Sequence, residues 1–250
     1  MPRSGVASSN SNNTHAVFSP TRWTQVILAR DGNSTPARKA LGELCQTYWY
    51  PLYAFIRRSG YSREDAQDLV QEFFGRLLAR DWLAQVDESK GRFRSFLLAA
   101  LKHFLANQLD KARALKRGGA HQFISLDGLA AETRYQLEPA DLQSPDKIFE
   151  RRWALQLLDE SLAALQQEYA REGKDAVFDQ LKVCLAGSRE SIPYAELAPR
   201  LGVSVGALKV MVLRLRARYR ELLRRAVSCT VAEASQVEVE MRHLVEVLRG

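Results

Sequence analysis

The order of apolar and polar residues predicts a chain made of helices. Apolar residues recur at intervals of three and four along most of the sequence, which is the spacing of one face of a helix. The clearest case begins at Phe93, where the positions i, i+3, i+4, i+7, i+8, i+11 and i+12 are all apolar through Leu105. No segment alternates apolar and polar residues as a half-buried strand would. The sequence therefore predicts an all-α fold.

Capping residues, prolines and glycines mark the expected ends of these helices. Ser62 precedes an apolar pattern and has Asp65 three residues later, which is a helix start signal. Pro51 is expected to kink or divide the helix before it, because an interior proline removes one backbone hydrogen bond. Gly118 should stop the helix that starts at Phe93. The other helices are expected over residues 37–58, 146–170, 174–186, 193–201, 204–226 and 231–248, with a short one beginning at Trp23.

The pattern predicts two helical domains joined by a linker. Residues 118–145 hold glycine, proline and scattered acids, a composition typical of a linker. Residues 1–20 are rich in serine and asparagine and are expected to be a disordered leader. The first domain then covers 21–117 and the second 146–226. The C-terminal helical tail, 227–250, is expected to be a packing helix, an inhibitor or a binding site for a regulator.

The charge distribution favours a polyanionic partner. The 250 residues contain 36 Lys and Arg against 29 Asp and Glu, which gives a net charge of +7. The positive charge is concentrated in two blocks, between Lys90 and Arg117 and between Val205 and Arg225. Asp110 is the one acid of the first block, and Glu221 is the one acid of the second. Two separated basic surfaces are therefore expected, and nucleic acid is the obvious ligand class.

The sequence gives little support to several other classes of protein. Cys45, Cys184 and Cys229 are odd in number and widely spaced, so neither a disulfide framework nor a structural zinc site is expected. The four histidines form no metal-ligand pair, and no phosphate-binding or dinucleotide motif is present. We predict no cofactor, no metal and no catalytic residue. No apolar stretch approaches the ~18 residues of a membrane span, and the cytoplasm is the expected compartment.

One short motif could point to an enzyme instead. Residues Gly202–Gly206 satisfy G-x-S-x-G, the nucleophile elbow of serine hydrolases. That elbow needs a strand before the serine and a sheet around it, and the preceding residues have a helical pattern. A hydrolase therefore stays a minor alternative, and Ser204 is better interpreted as a helix N-cap.

The segment that contains this motif has the spacing of a helix-turn-helix. Ala198 is small enough for two helices to approach closely, and Gly202 can adopt the positive φ of the turn. A helix N-terminus with cationic neighbours suits phosphate oxygens. The alternative is a basic amphipathic helix packed in a bundle. The residues expected to face outward from the second helix are Gly206, Lys209, Val210, Leu213 and Arg216.

Two segments resemble bacterial RNA polymerase sigma factors of the extracytoplasmic-function type, within the sigma-seventy family. EDAQDLVQEFFGRLL, residues 64–78, is similar to the polymerase-binding helix of that family. YAELAPRLGVSVGALKVMVLRLRARYRELL, residues 194–223, is similar to its second DNA-binding module. The resemblance extends over residues 21–226. It implies a factor without an active site of its own, which directs RNA polymerase to promoters.

The resemblance also implies partners and roles for individual residues. The surface facing the β′ clamp of core RNA polymerase would include Asp65, Asp68, Leu69, Gln71, Glu72 and Phe73. Minus-ten promoter DNA and its melted non-template strand would meet Trp82, Arg92, Arg94, Lys102, His103, Asn107, Lys111 and Arg113. The double-stranded minus-thirty-five element would meet Ser204, Gly206, Lys209, Val210, Leu213 and Arg214.

The chain departs from the family pattern in its second basic block. Val210, Met211 and Leu213 stand where serine, arginine and histidine are common in the family, so donors to base edges are missing. A helix-turn-helix regulator that binds operators without polymerase is therefore kept as the main alternative, beside a polymerase-binding relic that reads DNA poorly. Whether an anti-sigma factor binds the chain is left open.

Overall fold

The protein is all-α in every part of the chain that the structure describes. The structure is a computed structural model and describes residues 35–78, 92–114, 128–136, 144–186 and 192–249. No strand occurs in these ranges, and Arg92 and Val231 form an isolated antiparallel bridge. The α-helices are α1 (Thr35–Arg58), α2 (Arg63–Leu78), α3 (Phe93–Ala114), α4 (Gly128–Gln136), α5 (Pro145–Arg171), α6 (Asp175–Leu181), α7 (Tyr194–Arg200), α8 (Val205–Ser228) and α9 (Val237–Arg249). Short 3-10 helices cover Lys182–Leu185 and Ala234–Gln236.

The start of α2 follows the capping signal in the sequence. The Oγ atom of Ser62 accepts a hydrogen bond from the backbone N–H of Asp65 at 3.0 Å, which begins α2. Helix α1 runs through Pro51 as one helix and is not divided there. The expected helix at Trp23 and the 1–20 leader lie outside the described residues. None of the described helices is both long and apolar enough to cross a bilayer.

The first hydrophobic cluster is built from both ends of the chain. It joins α1, α2 and α3 to the first half of α5, and Trp153 of α5 is fully buried within it. The rings of Tyr48 and Phe93 meet edge to face with centroids 5.1 Å apart. Leu223 and Val227 bring the end of α8 into the same cluster. Residues from both predicted domains therefore share this core.

The second hydrophobic cluster surrounds the α7–α8 pair. Leu165 of α5 and Phe178 of α6 pack there against Leu208, Val212 and other apolar residues of α8. Helix α5 contributes to both clusters because its 27 residues extend for about 40 Å at 1.5 Å per residue. The described helices are thus connected through α5.

The C-terminal segment packs onto the start of α3. The backbone N–H of Phe93 donates to the carbonyl of Thr230 at 3.0 Å. Val231, Val237 and Leu244 are buried in the first cluster. The end of the chain is therefore part of the core, as the packing-helix interpretation of the tail requires.

Helix α4 lies inside the range predicted as a linker and is held against α1. The carboxylate of Glu132 accepts a hydrogen bond from the hydroxyl of Tyr53. It also forms an ion pair with Arg57, with a guanidinium nitrogen 2.9 Å from a carboxylate oxygen. Burial alone would raise the pKa of Glu132, but hydrogen bonds from Arg57 and Tyr53 outweigh it and hold this pKa below its ordinary value of 4.5. The guanidinium of Arg57 also lies 4.9 Å from the ring centroid of Tyr135. These contacts fix α4 to the first cluster.

Candidate nucleic-acid interface

A tight turn joins α7 to α8 and places the start of α8 at the surface. Gly202 has a φ of +64°, a conformation that side chains with a Cβ rarely adopt. The backbone N–H of Val203 donates to the carbonyl of Ala198 at 3.0 Å, which closes the turn. The Oγ atom of Ser204 then accepts from the N–H of Ala207 at 3.1 Å and caps α8. Both the glycine and the cap match the sequence-based predictions for this segment.

Helix α8 has one buried side and one exposed side, as its periodicity requires. Leu208, Val212 and Leu215 are buried in the second cluster. The opposite side carries four of the five expected outward residues, and the exposed fractions of Val210 and Leu213 reach 46% and 55%. The fifth, Arg216, is half-buried and does not face outward as predicted. All six residues predicted for this surface are exposed: Ser204, Gly206, Lys209, Val210, Leu213 and Arg214.

An open groove runs along this exposed side of α8. Its volume is about 790 Å³, and Ile192 and Tyr194 line the wall opposite α8. The ammonium group of Lys209 lies 5.8 Å from the centroid of the Tyr194 ring. Val210 and Leu213 line the groove from α8. The groove therefore combines an apolar stripe with a cation that is partly held by an aromatic ring.

The arginines of α8 divide into those that bind protein groups and those that point to solvent. Arg216 donates to the carbonyl of Cys184 at 2.8 Å. Arg218 binds Glu168 at 2.6 Å, and these hydrogen bonds lower the pKa of the Glu168 carboxyl. For Arg214 and Arg220, both exposed, the structure shows no ion pair with any described residue. Arg214 and Arg220 are therefore available to meet an external anion.

The first basic block is arranged differently, because its leading arginines are bound by acids. Arg94 is 4% exposed. Its guanidinium binds the carboxylates of both Glu240 on α9 and Glu150 on α5. Burial alone would lower the pKa of Arg94, but the hydrogen bond to Glu240 and the charge of Glu150 outweigh it and raise this pKa. Arg92 pairs with the same Glu240 at 3.3 Å.

This network removes Arg94 from the DNA-facing surface for which it was predicted. The side chain of Glu240 is completely buried. The guanidinium carbon of Arg94 lies over the Trp153 ring, 5.0 Å from its centroid. The Nε2 atom of His243 lies 2.9 Å from the carboxylate oxygen of Glu150 that does not bind Arg94. A phosphate could reach Arg94 only after α9 moved away.

The remaining residues predicted along α3 are at the surface or outside the described residues. Lys102 is exposed and forms an ion pair with Asp146. His103 and Asn107 are exposed, and their side-chain nitrogens are 3.3 Å apart. Trp82 and the side chains of Lys111 and Arg113 lie outside the described residues.

Three of the six residues predicted to face polymerase form an exposed acidic ridge on α2. Asp65, Asp68 and Glu72 are exposed, and Gln71 is half-buried beside them. Glu72 accepts a hydrogen bond from the side chain of Gln108 on α3 at 2.5 Å. Leu69 is half-buried, and Phe73 is fully buried in the first cluster, so Phe73 does not lie on the surface for which it was predicted.

The nucleophile-elbow alternative meets a different local geometry around Ser204. The residues before Ser204 are helix α7 and a turn, and its Oγ atom is engaged as the cap of α8. The elbow requires a strand at that place. No described group of histidine, cysteine and acidic side chains is arranged to hold a metal ion.

The sequence analysis did not identify the acidic partners of Arg94, although one feature of the sequence indicated that Glu240 is buried. Glu240 lies three residues after Val237 and four before Leu244, so it occupies the apolar stripe of α9. An acid on a buried stripe requires a buried cation as its partner. Which cation that is cannot be read from local spacing, because 146 residues separate Arg94 from Glu240.

Comparisons with protein-family models, with curated proteins and with solved structures found no match to this chain.

Proposed function

We propose that this chain is a transcription initiation factor of the sigma type, with two helical domains and a helix-turn-helix formed by α7 and α8. In this proposal it recruits core RNA polymerase and places it on promoter DNA in the cytoplasm. The chain supplies no active site, because polymerase performs the chemistry. The observation that carries the proposal is the exposed side of α8, a capped helix that presents six outward residues together with Arg214 and Arg220, for which no ion pair with a described residue is seen.

The start of α8 is suited to contact the phosphates of duplex DNA. Ser204 caps one backbone N–H group, and the other N–H groups of the first turn carry the positive end of the helix dipole. Arg214 and Arg220 extend the same positive surface along the helix. Phosphate contacts of this kind fix the register of a helix in the groove. Binding should weaken steeply with salt, because each neutralised phosphate releases counterions.

The acidic ridge on α2 gives the proposed contact with polymerase. Asp65 and Asp68 are exposed on one helix, and Glu72 on the same helix is exposed but forms an ion pair with Arg76. Acids on such a surface favour a basic partner surface and speed its association. The β′ clamp of core polymerase is the partner that the sequence resemblance implies.

Transcription by the reconstituted complex tests this proposal. Core polymerase from the same organism is supplied with genomic fragments, with and without the full chain, and transcript starts are mapped. The proposal expects new starts that require the chain and that disappear as salt is raised. The same starts without the chain, or no specific starts with it, would refute it.

The arrangement of Arg94 favours a second candidate, a helix-turn-helix regulator that acts alone. Because Glu240 and Glu150 bind Arg94, α3 presents less positive charge to DNA than its sequence predicts. Helix α8 remains exposed and could bind an operator without polymerase. Tight, sequence-specific binding by the chain alone, together with no affinity for core polymerase, would select this candidate.

A further inference from the structure

The exposed side of α8 is apolar at the positions best placed to enter a DNA groove. Val205, Val210 and Leu213 are exposed by 41%, 46% and 55%. Val210 and Leu213 are three residues apart and therefore neighbours on the helix surface. The buried side of α8, with Leu208 completely inaccessible, fixes the direction in which they point. This apolar pair is a rigid feature of the surface.

Val210 and Leu213 cannot donate a hydrogen bond to a base edge, and the exposed cationic donors beside them are Lys209 and Arg214. The Oγ atom of Ser204 accepts the cap hydrogen bond from the N–H of Ala207, and its own O–H is the donor that remains. The ammonium of Lys209 leans toward the Tyr194 ring, 5.8 Å from its centroid. Base-specific hydrogen bonding in the major groove usually needs arginine, lysine, asparagine or glutamine at such positions. Apolar contact is the other form of direct reading, and the thymine methyl group is its target.

The surroundings of the pair fit a polyanion better than an apolar protein helix. Arg214 and Arg220 are exposed on the same helix and have no ion pair with any described residue. Gly206 has only the Ser204 Oγ atom within 4 Å of where a Cβ would stand. The absence of a side chain there lets a backbone or base approach α8 closely. Charge and shape together indicate duplex DNA as the occupant.

We infer that Val210 and Leu213 read thymine by contact with its C5-methyl group in the major groove. This inference rests on the proposed function and specifies the DNA that α8 selects: sites with thymines at one or two fixed positions. Arg214 and Arg220 hold the phosphates beside these positions without discriminating between sequences.

Replacing thymine by deoxyuridine tests the inference, because the change removes one methyl group and keeps every hydrogen-bonding atom. The full chain bound to core polymerase first selects duplexes from a random-sequence pool. Each thymine of a selected duplex is then replaced singly by deoxyuridine, and Kd is measured. We expect a loss of about fourfold per contacted methyl, the effect of burying one such group, at one or two positions.

Variants of the two side chains connect the effect to α8. With Val210→Ala or Leu213→Ala, deoxyuridine at the corresponding position should no longer change the Kd. Val245→Ala is the matched control, since Val245 is 41% exposed on α9 and should keep the full thymine effect. All three side chains are exposed, so each variant is expected to fold, and circular dichroism verifies it.

The possible results separate this inference from the proposed function. If the complex selects particular sequences but deoxyuridine costs nothing, or costs the same in the alanine variants, the inference is wrong and the proposed function stands. If no sequence is selected at all, both fail. If Leu213→Ala weakens the binding of core polymerase and leaves the affinity for DNA unchanged, the surface binds protein and the inference is overturned.

Discussion

Replacing Glu240 by glutamine should destabilise the protein far more than the same change at the exposed Glu238 of α9. The Glu240 carboxylate is fully buried and binds Arg94 and Arg92. Glutamine would turn one of its oxygens into an amide N–H₂ group that faces the guanidinium donors. Arg94 would then lose a partner while still 95% excluded from water, since its side chain is 5% exposed.

The size of the effect follows from the partners that remain. Removing one charge from a buried ion pair costs about 3–5 kcal/mol. Arg94 keeps its contact with Glu150, and Arg92 is 33% exposed and can turn to water. We therefore expect Glu240→Gln to lower the free energy of unfolding by the lower end of this range, about 3 kcal/mol. In a chain of this length that corresponds to a fall in Tm of about 6–12 °C.

Thermal and urea unfolding, followed by circular dichroism, measures this change against a control on the same helix. Glu238 is 57% exposed and pairs with Arg224 at the surface, so Glu238→Gln should cost less than about 1 kcal/mol. The double variant Arg94→Met/Glu240→Met should recover part of the lost stability, because a buried pair replaced by apolar residues is often neutral, while Glu150 loses Arg94 as a partner. Equal Tm values for Glu240→Gln and Glu238→Gln would refute the buried network.

Three further predictions concern other parts of the chain. The double variant Asp65→Lys/Asp68→Lys should bind core polymerase more weakly in an anisotropy titration, while stability falls by no more than about 1 kcal/mol, because both side chains are exposed. Gly202→Ala should cost about 1–2 kcal/mol in denaturant unfolding, because residue 202 has a φ of +64°. The pKa of Glu132 is lowered by folding, so its contribution to stability is present above the unfolded pKa and is lost as pH falls through the folded pKa. The stability difference between the wild type and Glu132→Gln should therefore be constant from neutral pH down to about 5 and shrink at lower pH.

Each of these predictions has a result that contradicts it. Unchanged affinity of the double lysine variant would exclude the α2 ridge as the polymerase contact. Gly75→Ala is the control for Gly202→Ala, since Gly75 lies exposed inside α2 with open space around it. Alanine at position 75 should stabilise the protein by about 1 kcal/mol. If both alanine variants change the free energy of unfolding in the same direction, the prediction for Gly202 is wrong. A stability difference for Glu132→Gln that does not change with pH would show that Arg57 and Tyr53 do not lower its pKa.

Features set by neighbouring residues could be predicted from the sequence. The apolar spacing from Phe93 to Leu105 is sufficient to define α3, and the serines at 62 and 204 cap the helices that follow them. Most exposed residues of α8 could be predicted because helical periodicity decides which side chains share a face, whereas Arg216 is half-buried through its hydrogen bond to the Cys184 carbonyl. In these places local physical chemistry determines the structure.

Features set by distant residues could not be predicted in the same way. Arg94 lies on a strongly basic segment, and only the folded chain brings Glu240 to it across 146 residues. Helix α4 forms within a glycine- and proline-containing segment, where Glu132 is held by an ion pair with Arg57 and a hydrogen bond from Tyr53, both on α1. The sharing of α5 between two hydrophobic clusters depends likewise on tertiary packing. Composition indicated a linker in a region where long-range contacts fix a helix.

Duplex opening is the most direct test of the claim that this chain initiates transcription. Permanganate oxidises unpaired thymines, so it detects the melted region of a DNA fragment that carries a mapped start site. The account predicts reactive thymines just upstream of the start only when the full chain, core polymerase and DNA are all present. Protection of the fragment by the chain alone, with no reactive thymines after polymerase is added, would contradict it and identify a regulator that acts without polymerase.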